Sequence, residues 1–305
     1  MSAVVVRASR ARIRVWRGAG RTGAALAAVV AMFAAVVAPA ATTRARTVAD
    51  RMVHVIVTGV PGMATDATRI VETAGGRVLH ALPIVHGFDA VIPAGAVGRL
   101  ASAEGVRGVT PDVGVHLSST PPDPTTWPGA TPYDPKRYAG SMYNVAREIN
   151  ADNMWAAGFS GKGVGVALID SGVAPVPDIA ANLVNGPDLS LDATGGSLDG
   201  VDAFGHGTHM AGIIAGNDQY GKNLTGAQYV SSSSSYFYGM APDAHILNMK
   251  VGDESGVADV SQVIAAVDWV VQHRNDNSMN TKVINLSYGT VSGLAYSLDP
   301  LAYAT

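Results

Sequence analysis

The stretch Val164–Asp170 carries four successive apolar residues, Val166 to Ile169, and constrains the fold more than any other part of the chain. A strand with one wet face alternates apolar and polar side chains. This one does not, so it needs cover on both faces, as inside a parallel sheet. His245–Val251 and Val283–Ser287 read as further strands of this kind. Asn150–Ala157, Thr208–Ala215 and Asp259–Arg274 read as helices between them. In the last of these Val260, Val263, Ile264, Val267 and Val271 share one face, and Asp259 and Gln262 form a capping pair. Residues 144–305 are therefore expected to form an α/β domain, a parallel sheet with helices on both faces. Sites on such sheets gather at the C-terminal ends of the strands, where Asp170 and Ser287-Tyr288-Gly289 fall.

Residues 45–117 follow a different plan. Val53–Val57 is strand-like, Ala64–Ala74 is helical up to Gly75-Gly76, and Arg77–Leu82 and Phe88–Ile92 are strands. Ala94–Ala103 reads as a second helix and Val106–Val115 as a last strand. The order β-α-β-β-α-β predicts a small ferredoxin-like α+β module. Residues 118–143 carry Pro121, Pro122, Pro124, Pro128, Pro132 and Pro135, the composition of an extended linker. Ser231–Ser235 reads as a surface loop.

Residues 1–41 combine Arg7, Arg10, Arg12, Arg14, Arg17 and Arg21 with an apolar run, Ala24–Ala38, and an Ala38-Pro39-Ala40 cleavage pattern. That is the layout of a secretory signal peptide, and the run is shorter than the ~20 residues of a typical membrane span. A secreted protein is expected, with no stable membrane association after cleavage. A net charge of −3 gives no electrostatic case for nucleic acid. The absence of cysteine excludes disulfides, thiolate catalysis and cysteine-ligated zinc.

Asp170-Ser171-Gly172 at the end of an apolar strand fits a buried carboxylate met by a donor, and less well a strand-end aspartate capping a turn. An aspartic protease would need a second such carboxylate, and no other Asp-Ser-Gly or Asp-Thr-Gly exists in the chain. His206 lies between two glycines where a helix begins, a position that favours the neutral imidazole a general base requires. His206 and His209 are three apart without the intervening glutamate of the helical zinc motif, so no metal is assigned to them. His209 is expected to be a core histidine.

Taken in order, the Asp170 block, the segment His206-Gly207-Thr208-His209-Met210-Ala211-Gly212 and the Ser287-Tyr288-Gly289 strand resemble the subtilisin-like serine proteases, or subtilases. The resemblance implies a secreted endopeptidase acting on polypeptides, with Asp170 orienting His206 and His206 taking the proton of a serine. It also implies that Ser255, Gly256, Ser287, Tyr288 and Gly289 bind substrate as strand edges, although Tyr288 stands where relatives carry an aliphatic residue. The module 45–117 is then the chain's own propeptide, an intramolecular chaperone and inhibitor. No cofactor is required for the chemistry. Asn217, Asp218 and the loop to Gly239 lie where many relatives hold calcium, but this loop is enlarged and no metal is assigned.

The family's Gly-Thr-Ser-Met-Ala segment does not occur in these 305 residues. The expectation is a catalytic domain cut off before its nucleophile, inactive as it stands. Ala215-Gly216-Asn217 and Gly140-Ser141-Met142 echo the asparagine and serine blocks at the wrong places in the order, and neither is assigned. A non-catalytic secreted protein that inhibits proteases through its propeptide-like module is the alternative.

Overall fold

The computed structural model describes residues 48–117, 134–196, 198–289, 295–296 and 298–305. The expected signal segment and residues 118–133 of the expected linker lie outside the described residues. All the described residues belong to one compact unit, Arg46–Thr305.

This unit begins with β1 (Met52–Gly59), α1 (Ala67–Thr73), β2 (Arg77–Leu82), β3 (Gly87–Pro93), α2 (Val97–Ala101) and β4 (Val106–Pro111). The sheet order is β2-β3-β1-β4, with every neighbour antiparallel. Val55, Val57, Ala90 and Ile92 point to one face and pack with Val71 of α1 and Leu100 of α2. Both helices are shorter than the sequence suggests, and residues 94–96 form a 3-10 turn before α2.

The expected strand Val106–Val115 is in fact two. β4 ends at Pro111, and β5 (Gly114–Leu117) joins a different sheet. Proline lacks the N–H a ladder needs, and the next residue, Asp112, turns its carboxylate onto Ser261. The chain is thereby carried out of the first sheet.

The rest of the unit contains α3 (Met142–Glu148), α4 (Ala151–Ala156), β6 (Gly165–Asp170), α5 (Pro177–Ala180), β7 (Leu183–Asn185) and α6 (His206–Ala215). It continues with α7 (Gly226–Ser232), β8 (His245–Lys250), β9 (Val257–Asp259), α8 (Val260–His273), β10 (Thr281–Leu286), β11 (Tyr288–Gly289) and α9 (Pro300–Ala304). Helix α3 begins inside the stretch read as linker, with Ser141 as its N-cap.

The main sheet runs β10-β6-β8-β7, all parallel. Both of its faces are covered, as the pattern of β6 demands. Val166 and Leu168 pack with Ala211 and Ala215 of α6, while Ala167 and Ile169 pack with Val263, Ile264 and Val267 of α8. Helix α8 carries the expected capping box between Asp259 and Gln262. Its buried face ends at Val270 rather than at the expected Val271, which is 43% exposed. Successive helical residues are 100° apart, so a stripe drifts across that boundary within three turns. β10 lies at the edge of the sheet, with Val283 half exposed.

The two parts share one core. Ile56, Leu82 and Val85 belong to the same buried cluster as Val263 and Val267 of α8 and Leu301 of α9. Burying each such aliphatic side chain contributes about 1.5–3 kcal/mol. At the margin of this contact the Arg107 guanidinium lies 4.2 Å from the centre of the Tyr303 ring.

Candidate active site

β6 and β8 run in parallel register up to the pair Asp170–Lys250, which places Asp170 at the C-terminal edge of the sheet. Its backbone carbonyl accepts the amides of Val251 and Gly252, fixing the strand end. Its side chain is fully buried. Oδ1 accepts the Ser171 amide at 2.8 Å, and the two carboxylate oxygens stand 2.8 and 3.0 Å from His206 Nδ1. Burial raises the Asp170 pKa above its ordinary value, opposed by the bonds from His206 and Ser171. A buried carboxylate at one ring nitrogen selects the tautomer with its proton on Nδ1 and leaves Nε2 as the basic nitrogen.

His206 is the first residue of α6 and follows Gly205, whose φ of 102° few other residues adopt. Gly207 is required for a different reason. A Cβ there would lie 2.1 Å from the Gly172 carbonyl oxygen and 3.1 Å from Asp170 Oδ1. The small residue lets the helix start press against the strand end, so His206 reaches the carboxylate. The glycines that flag the motif in the sequence are therefore the means of its assembly.

His209 is exposed, which corrects the expectation of a core histidine. Three residues along a helix turn a side chain by about 300°, and here that rotation leaves His209 outside. Sequence reasoning did not single out Ser171, Asp202 and Thr208, which surround the pair. Asp202 lies three residues ahead of Gly205, the N-cap of α6, so no capping pattern in the sequence points to it.

A three-stranded antiparallel sheet, β11-β5-β9, stands beside this pair. β5 is its centre, with His116 opposite Val257 on one side and Gly289 on the other, and Leu117 opposite Tyr288. Val115, opposite Ala258, is 1% exposed and belongs to the main core. An extended segment thus already lies between the two edges expected to bind substrate. On the β9 side the pairing falls on Val257–Asp259. Ser255 and Gly256 form the turn leading in, with the Ser255 amide donating to Asp253. On the other side Tyr288 and Gly289 pair, whereas the Ser287 hydroxyl accepts from Asn285.

Tyr288 is 6% exposed and its hydroxyl is buried with no hydrogen-bond partner among the described residues. A Cβ on Gly252 would fall 2.2 Å from that hydroxyl and 3.2 Å from Ser171 Cα, so the phenol reaches beneath the Asp170 turn. Burial, and then the charges of Asp170, Asp253 and Asp202, push its pKa up.

The two unassigned echoes have structural partners. Asn217 is buried and donates to Pro242 O and Tyr229 Oη, and the Ser141 hydroxyl accepts the Asn144 amide. Among the described residues, no three His, Cys, Asp or Glu side chains gather as metal ligands. No described helix is long and apolar enough to cross a membrane.

Comparison with known proteins points the same way. Residues 161–304 match the Subtilase family. The chain is 32% identical over 145 residues to the minor extracellular protease Epr of Bacillus subtilis, a match covering 47% of this chain and 18% of that protein. It is 33% identical over 144 residues to the major intracellular serine protease of the same organism, covering 46% of this chain and 39% of that one. The fold is similar to the crystal structure of fervidolysin from Fervidobacterium pennivorans, a keratinolytic enzyme related to subtilisin. There the TM-score is 0.55 at 22% identity, over 83% of this chain and 38% of the other. The chain spans less than half the length of the curated relatives it matches.

Proposed function

We propose that this chain, whose residues 161–304 are a subtilase-family domain, is the precursor region of a secreted serine endopeptidase. Asp170 holds and orients His206, and His206 Nε2 removes the proton of a serine nucleophile. The buried carboxylate also stabilises the imidazolium that forms as the serine attacks the peptide carbonyl. The serine itself is not matched by any segment of these 305 residues, so no residue here is assigned as nucleophile. The observation that carries the reading is the 2.8 Å contact between Asp170 and His206 at the C-terminal edge of a parallel sheet.

Substrates are extended polypeptides, bound by strand addition between β9 and β11. We read residues 45–117 as the propeptide. Its strand order supports this, and β5 supports it further by filling the cleft as a substrate strand would. Secretion rests on the basic and apolar segment of residues 1–41.

The test is peptide hydrolysis by the whole product of the gene. Asp170→Asn is expected to lower turnover by about four orders of magnitude through loss of the correct tautomer, and His206→Ala by at least as much. Turnover that survives both substitutions in folded protein excludes the reading.

A further inference from the structure

We infer that Asp202 is the positioning residue that locks Asp170 and His206 together. Its carboxylate receives five hydrogen bonds. Oδ1 accepts from Ser171 Oγ at 2.8 Å, Phe204 N at 3.0 Å and Gly205 N at 2.7 Å. Oδ2 accepts from Thr208 N at 2.8 Å and Thr208 Oγ1 at 2.7 Å. The two hydroxyls carry the constraint onward. Ser171 Oγ accepts the Gly207 amide at 3.0 Å, and Thr208 Oγ1 accepts the Ala174 amide at 2.9 Å. Asp202 is thus bound to residues on both sides of His206, and through Ser171 to the residue that follows Asp170. The strand end and the helix start are tied at one point.

The chemistry of the site demands a carboxylate. All five neighbours donate, so both oxygens must accept. An asparagine has the same shape but offers one acceptor and one NH2 group. In either orientation that NH2 faces a backbone N–H, of Thr208 on one side or of Phe204 and Gly205 on the other. Ser171 Oγ has one proton, and Asp202 at 2.8 Å takes it in preference to Asp170 Oδ1 at 3.3 Å. With Asp202 neutralised, that proton turns to Asp170 and competes with His206 for the same oxygen.

The inference gains its catalytic meaning from the proposed role of His206, but its geometry is testable without turnover. Proton NMR of the 305-residue chain should show a low-field His206 Nδ1 resonance from the bond to Asp170. Asp202→Asn is expected to abolish or broaden that resonance, in a protein that still melts cooperatively. An unchanged resonance in folded Asp202→Asn overturns the inference. If that variant does not fold, Ser171→Ala and Thr208→Ala each remove one arm of the clamp, and intact His206 signals in both have the same force. In the whole gene product, Asp202→Asn should lower kcat with little change in KM. Loss of the NMR signals in a product without peptidase activity would leave the clamp standing and remove only the proposed reaction.

Discussion

Asp112 accepts two hydrogen bonds from Ser261, its Oδ1 from the amide at 3.1 Å and its Oδ2 from the hydroxyl at 2.6 Å. A carboxylate from the N-terminal module thereby satisfies an amide in the first turn of α8, where helix amides lack partners of their own. The same contact turns the chain from β4 into β5 and so delivers Val115 to the core.

Asp112→Ala should therefore behave as the loss of a helix cap, lowering stability by about 1 kcal/mol. A double-mutant cycle with Ser261→Ala isolates the contact. Denaturation of the single and double variants should give clearly non-additive losses. Additive losses would mean that the two residues act independently.

Asp170 should weaken the fold it serves. Its carboxyl titrates above its ordinary value of 3.8, because burial penalises the charged form. The folded state then holds the proton more tightly than the unfolded chain. The stability contributed by the group is full below 3.8 and is lost as pH rises through the raised folded value. Asp170→Asn should melt higher than the parent at pH 8. The gap should close as pH falls toward 4. A variant that melts lower than the parent at pH 8 contradicts this.

Much of this arrangement is legible in the sequence, for identifiable reasons. The unbroken apolar run of β6 requires cover on both faces, and α6 and α8 supply it. The glycines beside His206 mark a close approach, and Gly207 makes one. What escapes depends on neighbours remote in sequence. Nothing local separates β4 from β5 except Pro111, because the destination of β5 is set by β9 and β11, more than 130 residues on. Whether His209 or Val271 is buried depends on where each helix sits against the sheet, which periodicity leaves uncertain by about one residue. Ser171 and Thr208 belong to common residue types, and only their meeting at Asp202 gives them a role.

Tyr288→Phe should raise stability. The ring fills the same space, and the substitution removes a buried hydroxyl that has no partner among the described residues. Leaving such a group unsatisfied costs about 1–3 kcal/mol. Thermal melts of the full chain should show a gain of that order. A loss would mean that the hydroxyl is bonded in solution, with buried water as the first partner to seek.

Which nitrogen of His206 carries its proton decides whether the proposed chemistry can operate. Long-range proton–nitrogen correlation spectra of the 305-residue chain at pH 8 report this for each histidine. The structure leads to a proton on Nδ1, facing Asp170, and an unprotonated Nε2, with that preference lost in Asp170→Asn. A proton on Nε2 in the parent chain, or a tautomer unchanged by Asp170→Asn, would contradict the pairing on which the proposed chemistry rests.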